Sequence, residues 1–197
     1  MFSKTYLSLS AGRKIALLAV FIAFGVVANF VSVDVTPSVK ITFTYTVCFF
    51  AGLLMGGIPA FLVGFLGDTI GFLIVPSGVF WLYGVTLGLL ALIFGVCLNR
   101  ITFTFRGGQY VSAVIAFAAG YLLITLLLNS VVNYWYLRLF TWTGDAQKSF
   151  SVYLAGYLTG RLIFQSVVFA VNAAACLLLL PFACKLKAAL ANKHKIT

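Results

Sequence analysis

Glutamate is absent from this sequence of 197 residues, and its only acids are Asp34, Asp68 and Asp145. It has one histidine, His194, near its end. These scarcities exclude whole classes of chemistry. Paired catalytic carboxylates, a Ser-His-Asp set and an H-E-x-x-H metal site all need residues that are missing here or stand alone. No Walker sequence occurs, so the chain cannot itself hydrolyse ATP. Cysteine is sparse as well. Cys48, Cys97, Cys176 and Cys184 lie in or beside apolar runs with no C-x-x-C pair, and read as small packing hydrophobes rather than a disulfide or zinc set. The sequence predicts no enzyme, no cofactor and no metal.

Charge is equally thin. Only 8% of residues are charged and 63% are hydrophobic, whereas soluble domains carry about 25% charged residues. A soluble fold could not hide this much apolar surface, so the bilayer must be the solvent. The expectation is an all-α integral membrane protein forming one domain over residues 1–197. A net charge of +10 would suggest nucleic acid if the cations were clustered. Instead they sit between apolar blocks and at the two ends, as topology determinants do. No basic-aromatic patch or phosphate loop is present, which argues against nucleic-acid and nucleotide binding.

A helix needs about 20 apolar residues to cross a bilayer. The apolar blocks predict six spans at about 15–32, 41–56, 59–75, 80–98, 110–137 and 153–182. Arg13 and Lys14 before the first block mimic a signal peptide. More apolar blocks follow and no small-residue cleavage site is evident, so the block reads as a retained helix. The "MGGIP" stretch breaks the second span from the third, and "PSG" stops the third. The fifth and sixth exceed one bilayer thickness and must tilt, kink or project. With both termini inside, the cytoplasmic segments hold Lys4, Arg13, Lys14, Arg100, Arg106, Lys185, Lys187, Lys193 and Lys195. The outer loops hold Lys40, Arg138 and Lys148, accompanied by Asp34 and Asp145. This asymmetry follows the positive-inside rule.

Against this background a few polar residues need a reason. Asp68 and Arg161 fall within spans, at a cost of about 3 kcal/mol each at a helix centre. Either they neutralise each other or they meet a ligand, and a pair at a pocket floor would do both. Gln165 lies one turn after Arg161, and Asn172 is near the same face. On the fifth span Asn129 and Asn133 are one turn apart, followed by Tyr134, Trp135, Tyr136 and Arg138. These amides either bond helix to helix or converge on a polar pocket open to the outside. The aromatics Tyr136 and Trp142 fit an interfacial belt. The first loop, "SVDVTPSVKITFTY", is extended by its β-branched residues and Pro37, and is either a lid or a connector. On the first span Ala19 and Ala23 stand at i, i+4 with Ala16 nearby. That small stripe serves bundle packing or docking to another membrane protein.

The stretches "GRKIALLAVFIAFGVV" and "TPSVKITFTYTVCFFAGLLMGGIPAFLVGFLGDTIGFLIVPSG", and the arginine of "GRLIFQ", resemble the folate-family S component of energy-coupling-factor (ECF) vitamin transporters. The resemblance is strong from about residue 13 to 98 and weaker beyond. It implies a six-helix membrane subunit that captures a vitamin from outside. Such a subunit works with an ECF module of a transmembrane T component and two ATPases, and topples within the membrane to deliver its ligand. It implies that Ala19 and Ala23 match the family's AxxxA motif for the T component, and that the loop with Pro37 and Lys40 caps the substrate. For a folate, Arg161, Lys40 and Arg138 would meet the carboxylates. Asp68, or the amides Asn129 and Gln165, would read the pterin, and Trp81, Tyr83 or Trp135 would stack on it. Asn133 stands among the pocket candidates. The sequence departs from the family at "VFWLYG", "LNSVVNYW" and "RLIFQS". Cobalamin or a pterin-like precursor is the alternative ligand, and a scaffold that only docks helices is the alternative role.

Overall fold

The computed structural model describes residues 1–31, 33–36, 39–74, 82–105, 107–142 and 148–192, without the side chains of 33–36, 39–41, 161 and 192. Helices carry the apolar blocks, because in lipid each backbone N–H and C=O must be satisfied inside its own segment. A short helix α1 (Lys4–Ser8) precedes α2 (Ala11–Phe30), α3 (Thr44–Met55), α4 (Gly57–Ile74) and α5 (Tyr83–Arg100). The next apolar run is continuous over Gly108–Thr141 but changes its winding. It starts as α6 (Gly108–Gly120), becomes π-helical over Tyr121–Leu128, returns as α7 (Asn129–Tyr136) and ends π-helical at Leu137–Thr141. The last helix, α8 (Phe150–Asn192), has 43 residues with Pro181 inside it. At 1.5 Å per residue that is about 65 Å, well beyond the hydrocarbon thickness of about 30 Å. It extends past both ends of the apolar block expected at 153–182.

The loop read as extended is a two-stranded antiparallel hairpin, β1 (Val33–Thr36) with β2 (Val39–Ile41). Its register sets Asp34 opposite Lys40 along the backbone. Among the described residues, five helical stretches are long and apolar enough to cross a membrane; α3 is shorter. With 12 residues, about 18 Å long, α3 is helped at its C-terminus by the chain's first residues. Ser3 N donates to Met55 O at 3.0 Å and Gly57 N donates to Met1 O at 2.8 Å. Ser3 Oγ donates to Leu54 O at 2.5 Å. These bonds occupy backbone groups that a helix end leaves open. Gly56 turns α3 into α4 with φ of 95°, a conformation suited to glycine.

Glycine sets the helix spacing. A Cβ on Gly67 would lie 3.2 Å from Gly25 Cα, so α4 meets α2 backbone to backbone. One on Gly64 would lie 2.8 Å from Leu87 O on α5, and one on Gly52 would lie 2.7 Å from Gly95 N. Close contact replaces the hydrophobic drive that lipid cannot supply. Phe49, Phe94 and Phe117 then fill the centre from α3, α5 and α6, with centroids 4.9–5.7 Å apart. At one end Asn99 Nδ2 donates to Gly52 O and Lys187 Nζ donates to Asn99 Oδ1. The N-terminal segment docks at the same end, so Lys4, Arg100 and Lys187 gather there.

Candidate ligand-binding site

Toward the other end, where the hairpin joins α2 to α3, the helices leave a cavity of about 190 Å³. Its wall is mostly polar: Asn29, Thr42, Thr44, Tyr45, Asp68, Tyr83, Thr86, Thr125, Asn129 and Gln165, with Leu87, Leu90 and Ile124 behind them. Ligand pockets measure roughly 300–1,000 Å³, so this space fits a heterocyclic head rather than a whole vitamin.

The architecture explains how each side chain arrives. Gly71 has no Cβ, and one there would lie 2.8 Å from Asn29 Nδ2, so the amide occupies the space the glycine leaves. Asn29 then donates to Gly67 O at 3.2 Å. Asp68 follows Gly67 on α4 and turns toward α5, where a Cβ on Gly84 would lie 3.5 Å from its Oδ2. Thr42 and Thr44 share a hydroxyl hydrogen bond at the entry to α3. Gln165 Nε2 donates to Tyr45 OH at 3.0 Å, bringing α8 to α3. Asn172 braces the same contact. It accepts from Thr46 Oγ1 at 2.8 Å and donates to Thr42 O at 3.0 Å.

The asparagines of the fifth span, one turn apart, have different surroundings. Asn133 accepts from Tyr83 OH at 2.8 Å and donates to Tyr153 OH at 2.6 Å, tying α5, α7 and α8 together. Asn129 lines the cavity, and its Oδ1 is buried with no hydrogen-bond partner among the described residues. A buried acceptor left unmade costs about 1–3 kcal/mol. Asn129 follows directly on the π-helical turn, and such turns often mark functional sites.

The predicted site residues therefore separate. Asp68, Tyr83, Asn129 and Gln165 share the cavity, and Asn133 holds Tyr83 from behind. Trp135 is exposed, and Arg138 lies over its ring at 5.4 Å. The Arg161 and Lys40 side chains, Trp81, Pro37 and the "PSG" stretch lie outside the described residues, and so does any Asp68–Arg161 pair. Ala19 and Ala23 sit on an exposed face of α2, whose only buried residues are Gly25 and Ala28. Sequence reasoning missed Asn29 and the threonines. Asn29 had a signal, being an amide near the end of an apolar span; Thr42, Thr44 and Thr125 looked like ordinary β-branched residues.

A family model described as "ECF-type riboflavin transporter, S component" matches residues 10–180. No curated protein matches by sequence. Among solved structures, a crystal structure of FolT bound with folic acid superposes with a TM-score of 0.65 at 24% identity, covering 85% of this chain and 92% of that one. At that identity the likeness is one of fold. The multi-pass apolar helices agree with a family of transporter subunits embedded in the cell membrane. Since the family model spans α2 to most of α8, the chain belongs to the S components of ECF-type transporters.

Proposed function

We propose that this chain is the vitamin-binding S component of an ECF-type importer, and that its ligand is folate or a folate derivative. One observation carries the ligand class. The cavity holds two hydrogen-bond acceptors that call for donors, the Asp68 carboxylate and the orphaned Asn129 Oδ1. The 2-amino group and N3–H of a pterin form a donor pair that a carboxylate accepts in parallel, and an amide oxygen can take a further donor. Tyr83 offers a ring to stack on the heterocycle. The shared fold with FolT supports the same reading.

The rest of the ligand would extend toward the hairpin. There Lys40, with Arg161 and Arg138, would meet the carboxylates of a glutamate tail, and Trp81 would add a stacking surface. The protein crosses the membrane six times with both termini on the cytoplasmic side, where the basic residues gather. Ala19 and Ala23 dock the T component, and two partner ATPases supply the energy. The chain's own task is binding and delivery, which needs no catalytic group.

A second reading comes from the family model's description, which names riboflavin. The flavin edge alternates acceptor, donor, acceptor, which suits amide side chains such as Asn29, Asn129 and Gln165 better than a carboxylate. Identifying the molecule that co-purifies with the protein by mass spectrometry separates the two. Fluorescence titration with folic acid and riboflavin checks the result. Tight quenching by folic acid and none by riboflavin is expected; the reverse pattern overturns the folate assignment.

A further inference from the structure

We infer that the basic end of the bundle holds a second site, built for an anionic phospholipid. A cavity of about 360 Å³ opens there between α3, α5, α6 and α8. Its walls are largely apolar, with Leu53, Leu98, Phe103 and Leu180, and Gln109 and Lys187 supply polar groups. Lys187 turns into the bundle and donates to Asn99 Oδ1 at 2.7 Å. Asn99 is itself held, its Nδ2 donating to Gly52 O and Gly95 O at 2.8 Å each. The lysine therefore has a neutral partner and two further N–H donors.

No acid among the described residues answers that charge. Of the three acids, Asp68 lines the other cavity and Asp34 sits in the hairpin. Asp145 lies outside the described residues. The C-terminal dipole of α5 supplies about half a charge. An anion from outside fits the remainder, at an end of the bundle that also carries Lys4, Arg100 and Lys185.

Depth selects the anion. Lys187 lies 22 positions beyond Gln165 on the same helix, which is about 33 Å at the helical rise and close to one hydrocarbon thickness. A lysine in the bundle at that level meets the phosphate plane of the leaflet opposite the vitamin cavity. Leucine and phenylalanine walls beside it accept the first methylenes of an acyl chain. A free phosphate would use the lysine and leave those walls unused.

The test uses the purified full chain in neutral detergent with added lipid. Its readouts are lipid-bound species in native mass spectrometry and the thermal midpoint. Phosphatidylglycerol should bind and raise the midpoint, whereas phosphatidylcholine with the same chains should do neither. Lys187→Gln should weaken phosphatidylglycerol binding by about fivefold, the factor one cation near an anionic surface contributes. Lys187→Arg should retain it, and Arg13→Gln, the same loss of charge at an exposed position, should leave it unchanged. Equal binding of both lipids, or an unaltered Lys187→Gln variant, overturns the proposal. Inorganic phosphate producing the same thermal shift overturns the lipid assignment. If Lys187→Gln loses its helical circular dichroism, Ala188→Trp, which fills the cavity and keeps the lysine, provides the test. Undiminished lipid binding in that variant would defeat the proposal.

Discussion

Asn129 and Asp68 share a wall but not an energetic role. Asn129 carries an acceptor that nothing in the described protein satisfies, so the empty protein bears its cost and a ligand donor removes it. Asn129→Ala should therefore weaken ligand binding by about fivefold, the value of a hydrogen bond worth on the order of 1 kcal/mol. The thermal midpoint of the empty protein should hold or rise. A fall in that midpoint would mean that the amide is structural. Asp68→Asn keeps the shape but replaces one acceptor oxygen by a donor. Its expected loss is tenfold or more, from charge-assisted bonds worth about 1.5–3 kcal/mol each. Folic acid titration of the purified variant measures this, and an unchanged affinity would remove Asp68 from the contact surface.

At the scale of elements, helix spacing decides which side chains reach the cavity. Gly64 lets α4 press on the α5 backbone at Leu87, and four positions along the same helix Asp68 faces α5. Gly64→Val would drive α4 and α5 apart, at a cost of about 3 kcal/mol. A lower thermal midpoint and loss of ligand binding should appear together. Asn133 supplies a softer link, since its hydrogen bonds to Tyr83 and Tyr153 tie α5 to α8 through α7. Membrane-embedded bonds of this kind average about 0.6 kcal/mol. Asn133→Ala should lower the midpoint modestly and weaken binding only through Tyr83. A loss of affinity as large as that of Asp68→Asn would move Asn133 into direct contact.

For the whole molecule, the vitamin cavity and the α2 stripe are separate surfaces. Ala19 and Ala23 are exposed, while α2 holds to α4 through Gly25 and Gly67. A bulky residue on the stripe therefore meets nothing within the protein. Ala23→Trp should leave ligand affinity and thermal midpoint unchanged in the isolated chain. It should abolish uptake in cells that also express the ECF module. Uptake at the normal rate would separate the stripe from docking.

The sequence by itself determined the solvent, the helical class and most of the candidate list. Hydropathy and charge position are local quantities, written residue by residue, and a carboxylate in a greasy block is conspicuous wherever it folds. Asp68, Asn129 and Gln165 stood out in this way, whereas Tyr83 entered only through the family resemblance. Only the tertiary structure decided that Asn129 opens on the cavity while Asn133 bridges helices. It also decided that Asn29 and the threonines complete the wall, and that the fifth span winds as a π-helix just before Asn129. The physical reason is rotational. A helix fixes which residues share a face, but where that face points depends on its neighbours. Here the setting comes from glycine contacts such as Gly25 with Gly67 and Gly52 with Gly95, which join residues 42 and 43 positions apart, too far for any local pattern to reveal.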